Sequence, residues 1–122
     1  MAKKILLIED YLATVDMMTV FLKASGYEVV VAYDGCAGLQ KATDCKPDLI
    51  LLDVMIPEMN GIEVCKLLKA NPATLPIPVI VVSVLYLRED IKAAMDAGAV
   101  EYITKPFDLE KLVEVVRKHL PI

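Results

Sequence analysis

Leu49-Ile50-Leu51-Leu52-Asp53-Val54-Met55-Ile56-Pro57-Glu58-Met59-Asn60-Gly61 opens with four apolar residues, turns acidic at Asp53 and closes on turn formers. A strand with one wet face alternates apolar and polar residues. A run that is apolar at every position is what a strand covered on both faces requires. Pro57, Asn60 and Gly61 mark turns, and helical spacing resumes beyond them at Ile62, Cys65 and Leu68. This stretch predicts a buried strand, a loop opened by a carboxylate, and a helix.

The same unit recurs in both directions. Ile5-Leu6-Leu7-Ile8 and Val79-Ile80-Val81-Val82 are also apolar throughout. With weaker runs added, five strands are expected at Lys4–Ile8, Glu28–Ala32, Leu49–Leu52, Val79–Val82 and Glu101–Thr104. The first helix is expected to turn Met17, Val20, Phe21 and Ala24 inward, and the last Leu109, Leu112, Val113 and Val116. Gly26, Asn71-Pro72 and Gly98 read as helix stops, and Asp108 as the N-cap of the last helix. Strands alternating with helices imply parallel crossovers. The expected class is α/β: a doubly wound, five-stranded parallel sheet of order 2-1-3-4-5 with five helices.

Composition bounds the function. One domain of 122 residues, 57% hydrophobic, is too apolar for a disordered chain. Thirteen basic against seventeen acidic residues give a net charge of −4. No basic stripe follows a phosphate backbone, so neither nucleic acid nor an anionic membrane is expected as a partner. Met1-Ala2-Lys3-Lys4 and the apolar run after it stop at Glu9-Asp10, far short of a signal peptide or span. Cys36, Cys45 and Cys65 are odd in number and lack C-x-x-C spacing, so they are read as buried apolar fillers of a cytoplasmic protein.

Ligands of open α/β sheets sit beyond the carboxyl ends of the strands, where strand order reverses. Here the first strand ends at Glu9-Asp10, the third at Asp53, the fourth at Ser83 and the fifth at Thr104-Lys105-Pro106. Each residue alone is an ordinary cap, turn former or solvated side chain. Together they deliver three carboxylates, a hydroxyl and an ammonium to one edge. Neighbouring strands lie about 4.8 Å apart, so Asp10 and Asp53 end within reach of one small ion. Either these carboxylates share protons or a hard cation lies between them, and a few oxygen ligands suit Mg²⁺. A cation site beside a lysine is equipment for handling a phosphoryl group, and a carboxylate can itself attack phosphorus.

At these residues the chain resembles the receiver domains of two-component response regulators. The motifs are Glu9-Asp10, the stretch Asp53–Gly61, Ser83, and Tyr102-Ile103-Thr104-Lys105-Pro106. The resemblance spans residues 1–122 as one receiver domain. It implies that Asp53 accepts a phosphoryl group from a histidine kinase or a histidine phosphotransfer protein. Asp10, Asp53 and the backbone carbonyl of Met55 would hold Mg²⁺, with Glu9 assisting through water. Lys105 would pair with phosphoryl oxygens, Ser83 would bond one of them, and Tyr102 would turn inward as Ser83 moves. The Lys105-Pro106 bond would be cis. The output would be a protein target on the face of the fourth helix, fifth strand and fifth helix, with a dimer on activation. Such a domain is a phosphoacceptor that assists its own phosphotransfer and dephosphorylation; it is not an enzyme.

Val84 departs from the small residue usual in the family after the hydroxyl. Met55 and Leu85 put apolar side chains where the family tunes hydrolysis, which predicts a long-lived phosphoryl group. Three rivals remain: a degenerate receiver binding without phosphorylation, a Mg²⁺-dependent aspartyl-phosphate phosphatase and a flavin carrier. The phosphatase would want a second carboxylate at position 55, which is Met. The flavin carrier would want a phosphate loop where Glu9-Asp10 stand, and the chain has no Trp to stack on the ring. The chain ends at Leu120-Pro121-Ile122, which leaves no room for an output domain. The expectation is a stand-alone regulator or an excised receiver.

Overall fold

A computed structural model describes residues 2–122; Met1 of the basic N-terminal run lies outside the described residues. The elements run β1 (Lys4–Ile8), α1 (Leu12–Ala24), β2 (Glu28–Ala32), α2 (Gly35–Cys45), β3 (Leu49–Leu52), α3 (Gly61–Ala70), β4 (Val79–Ser83), α4 (Arg88–Asp96), β5 (Glu101–Thr104) and α5 (Leu109–His119). The sheet order is β2-β1-β3-β4-β5 with every pair parallel. The expected fold class stands, and β4 gains one residue, Ser83, which pairs with Thr104.

The three uniformly apolar runs form the three central strands. Their side chains alternate between two cores, as a strand's period of two dictates. Ile5, Leu7, Leu49, Leu51, Ile80 and Val82 face α1 and α5. Leu6, Ile8, Ile50, Leu52, Val79 and Val81 face α2, α3 and α4. Burial of each such side chain contributes about 1.5–3 kcal/mol. At the edge, β2 is only partly covered.

Two expectations are corrected. α1 buries Val15, Met18 and Leu22, while Met17 and Val20 are exposed. The helix carries apolar residues on most sides, so periodicity admits two stripes and packing chooses one. Of the three cysteines only Cys65 is buried; Cys45 is half-buried and Cys36 exposed. Cys36 lies in the first turn of α2, whose inward positions are taken by Gly35, Gly38 and Ala42.

The helix ends follow their signals. Asp108 accepts the Glu110 N–H at 2.9 Å, and Asn60 accepts that of Ile62 at 2.7 Å. Gly26 and Gly98 take positive φ after α1 and α4.

Candidate functional site

Strand register assembles the site. Ile8 pairs with Leu52, so Glu9 and Asp53 are the next residues out of two adjacent strands. The backbone confirms the alignment: Asp53 N donates to Ile8 O at 3.0 Å, and Glu9 N to Ala32 O at 3.0 Å. On the other flank Ser83 pairs with Thr104, and Lys105 N donates to Ser83 O at 2.8 Å. Consecutive strand ends thus bring Glu9, Asp10, Asp53, Ser83 and Lys105 to one edge.

Carboxylate oxygens of Glu9, Asp10 and Asp53 all lie within 4.8 Å of one another. Glu9 and Asp53 are buried and Asp10 is exposed. Lys105 Nζ joins the two buried carboxylates. It bonds Glu9 Oε1 and lies 2.9 Å from Asp53 Oδ2. Glu9 Oε2 accepts the backbone N–H of Asp10 at 3.0 Å and of Tyr11 at 3.2 Å. Asp53 Oδ1 accepts from Met55 N at 3.1 Å.

Burial raises the Glu9 carboxyl above its ordinary range, and the Lys105 bond works against that. Burial would by itself lower Lys105, but its bonds to Glu9 and Asp53 outweigh this and hold the ammonium above its usual value. One cation thus offsets two buried anions, and Asp10 adds a third negative group at the rim. Crowded hard oxygen donors with an open side fit Mg²⁺. Asp10 and residues Val54–Asn60 line one open cleft of about 490 Å³, which places Met55 beside the cluster.

Ser83 is fully buried, and its Oγ accepts the Leu85 N–H at 3.2 Å. Tyr102 is half-buried, packs on the core, and donates its hydroxyl to Leu85 O at 2.7 Å. The resemblance implied that Tyr102 turns inward as Ser83 moves; here its hydroxyl is already bonded. The Lys105-Pro106 bond is cis.

The chain matches the response regulator receiver domain family over residues 5–117. It belongs to that family. Over 114 residues it is 40% identical to the DNA-binding dual master transcriptional regulator RpaA of Synechocystis, a match covering 93% of this chain and 47% of RpaA. The chain spans about half the length of the curated relatives it matches. Among solved structures, the chemotaxis response regulator CheY4 of Vibrio cholerae superposes with a TM-score of 0.92 at 28% identity, covering 98% of this chain and 100% of that one. The receiver domain of sensor histidine kinase PA1611 of Pseudomonas aeruginosa gives 0.90 at 25% identity, covering 97% of each chain, and holds a magnesium ion in its active-site cleft.

These findings correct the exclusion of nucleic acid. A DNA-binding regulator shares 40% identity with this receiver. The charge balance of 122 residues describes the receiver alone, and its length sets no bound on an output domain. Among the described residues no helix is long and apolar enough to cross a membrane.

The ion pair from Glu9 to Lys105 escaped the sequence reading, which gave Glu9 only an assisting part at the metal. Its signal was available: a carboxylate directly after a both-face-buried strand is drawn inward, where it needs a cation. The shared bonds to Leu85 carried no signal, because both run through backbone atoms.

Proposed function

We propose that this receiver is a phosphorylation-controlled switch in which Asp53 takes a phosphoryl group from a histidine kinase or histidine phosphotransfer protein. The observation that carries this reading is the single ammonium of Lys105 set between buried Asp53 and Glu9, with Asp10 at the open rim. An Asp53 oxygen attacks phosphorus, an O–P bond forms, and the P–N bond to the donor imidazole breaks with its electron pair leaving on nitrogen. Asp10, Asp53 and the Met55 carbonyl would hold Mg²⁺, which supplies charge neutralisation at the phosphoryl oxygens.

The protein's own groups do the rest. Lys105 exchanges part of its bonding to Asp53 for the incoming oxygens. Glu9, fixed by two backbone N–H groups, keeps the ammonium in place. Ser83 offers its hydroxyl proton to a phosphoryl oxygen, a contact with no counterpart before phosphorylation, and this differential contact biases the switch. The bias reaches the surface through Leu85 and Tyr102. Tyr102 also lines a groove of about 840 Å³ along β5 and α5, with Pro106, Phe107, Lys111 and Val115. That groove supports a protein-interaction output on the β5 and α5 part of the expected face. The chain acts as a phosphoacceptor and not as an enzyme on a separate substrate. RpaA's name supports DNA binding as the output of the whole protein. Three free cysteines support a cytoplasmic setting.

The test is incubation with acetyl phosphate and Mg²⁺, followed by intact mass. The parent is expected to gain about 80 Da, the mass of the phosphoryl group, and Asp53→Asn to gain none. A parent that stays unmodified, with acetyl phosphate or with a phosphorylated kinase, supports the degenerate receiver instead.

A further inference from the structure

The loop from Val54 to Asn60 carries the Met55 carbonyl, yet it is not a regular element and Glu58 within it takes a left-handed φ of 73°. Such a conformation persists in a non-glycine residue only when its surroundings hold it. At one end the support is internal: Gly61 N donates to Val54 O at 2.8 Å. A further tie reaches the loop from the N-terminus of α2, where Gly35 N donates to Pro57 O at 3.3 Å.

Gly35 can make that bond because it has no side chain. A Cβ there would stand 2.8 Å from Met59 Cβ, 2.9 Å from Val64 Cγ2 and 3.1 Å from the Met59 carbonyl oxygen. Met59 Cβ and its carbonyl belong to the loop itself and cannot swing away as the tip of a flexible side chain can. Gly35 takes no positive φ, so space and not backbone freedom demands glycine here. Gly38, one turn on, is also tight: its Cβ would stand 2.6 Å from Ile8 Cδ1. That contact is with a strand of the core and not with the loop. The two glycines therefore perform separable tasks on one helix face.

We propose that Gly35 is a positioning residue for the metal site, its bare backbone letting α2 hold the β3–α3 loop where Met55 shares a cleft with Asp10. A methyl at position 35 pushes on Met59, displaces the loop, and carries the Met55 carbonyl out of register with the carboxylates. This rests on the reading of Asp10, Asp53 and Met55 as the Mg²⁺ site.

The experiment titrates Mg²⁺ into the parent, Gly35→Ala and Gly38→Ala by calorimetry, and melts each in EDTA. Both variants are expected to melt lower than the parent. Only Gly35→Ala is expected to bind Mg²⁺ more weakly, by about tenfold, the loss typical when a support of metal ligands is disturbed. Parent-like affinity in Gly35→Ala overturns the proposal. So does an equal loss in Gly38→Ala, which would mean that general loosening suffices. Should Gly35→Ala not fold, Gly35→Ala/Val64→Ala relieves the clash with α3 while keeping that with Met59, and parent-like affinity there overturns the proposal equally. A parent that binds no Mg²⁺ fails the underlying site assignment, an outcome distinct from a binding parent with an unaffected variant.

Discussion

Ser83 and Tyr102 hold the same residue from two sides: the Ser83 Oγ accepts the Leu85 N–H at 3.2 Å, and the Tyr102 hydroxyl donates to the Leu85 carbonyl at 2.7 Å. A shift of Ser83 toward Asp53 therefore pulls on a backbone segment whose other anchor is an aromatic ring at the β5 surface. Coupling needs no long chain of contacts, only the Leu85 backbone.

Ser83→Ala and Tyr102→Phe should each destabilise the resting chain by about 1 kcal/mol, since each leaves one backbone group of Leu85 without its partner. The double variant should lose less than the sum, with a coupling of about 0.5 kcal/mol or more, because the second anchor is worth less once the first is gone. Denaturant unfolding of the four proteins measures this. Strict additivity would show the two contacts to be independent and would break the proposed route from site to surface.

The phosphoryl group should decay slowly, over minutes and not seconds. Met55, whose N–H bonds Asp53 Oδ1, is apolar and 58% exposed, and Val84, next in sequence to Ser83, is apolar and 52% exposed, so neither side chain orients a water at Asp53. Leu85 is half-buried in the core and offers the site only its backbone. Met55→Glu should shorten the lifetime by adding an acceptor for an attacking water, while Met55→Leu should not. Decay after removal of acetyl phosphate, followed by intact mass, checks both. A parent that loses its phosphate within seconds contradicts the argument.

The sheet was legible because Ile5–Ile8, Leu49–Leu52 and Val79–Val82 are apolar throughout, and only central strands of a parallel sheet need that. The site edge was legible because Glu9-Asp10, Asp53 and Ser83 follow such runs and Lys105 follows the weaker run Glu101–Thr104, so strand ends fix their position without any tertiary information. The inward face of α1 was not, since Met17 and Val20 are as apolar as the Val15, Met18 and Leu22 that displace them. Gly35 was equally silent: a glycine opening a helix reads as a local feature until the loop it touches, more than twenty positions away, is placed against it.

Lys105 should matter to the fold as well as to phosphotransfer. It neutralises two carboxylates that are themselves buried. Lys105→Met should destabilise the chain by about 3 kcal/mol at pH 7, the scale of breaking a buried pair. The sign with pH follows from Glu9. Its carboxyl already lies above the ordinary range through burial, and loss of the opposing Lys105 bond raises it further. An acid with a raised value in the folded state holds its proton more tightly there, so the variant loses stability as pH climbs through that value. The gap between parent and variant should narrow in acid, where Glu9 is protonated in both, and widen as pH climbs toward neutrality. Urea unfolding across that range is the measurement. A gap independent of pH would mean that Glu9 is not the group left unpaired.

Asp10 is expected to be the group through which function opposes stability. Glu9 and Asp53 share one ammonium, while the third carboxylate, with an oxygen within 4.8 Å of the others, forms no ion pair among the described residues. Being exposed, it feels a repulsion damped by water, worth about 1 kcal/mol at such a separation. Asp10→Asn should therefore melt higher than the parent in EDTA. Added Mg²⁺ should raise the melting temperature of the parent by mass action on the folded state and leave the variant nearly unmoved, since the rim ligand is gone. The two curves should then approach or cross as Mg²⁺ rises. A variant that melts lower in EDTA would show that Asp10 is held by favourable contacts and that the acidic rim carries no strain. A variant that still responds fully to Mg²⁺ would remove Asp10 from the metal site and leave Asp53 and Glu9 as its ligands.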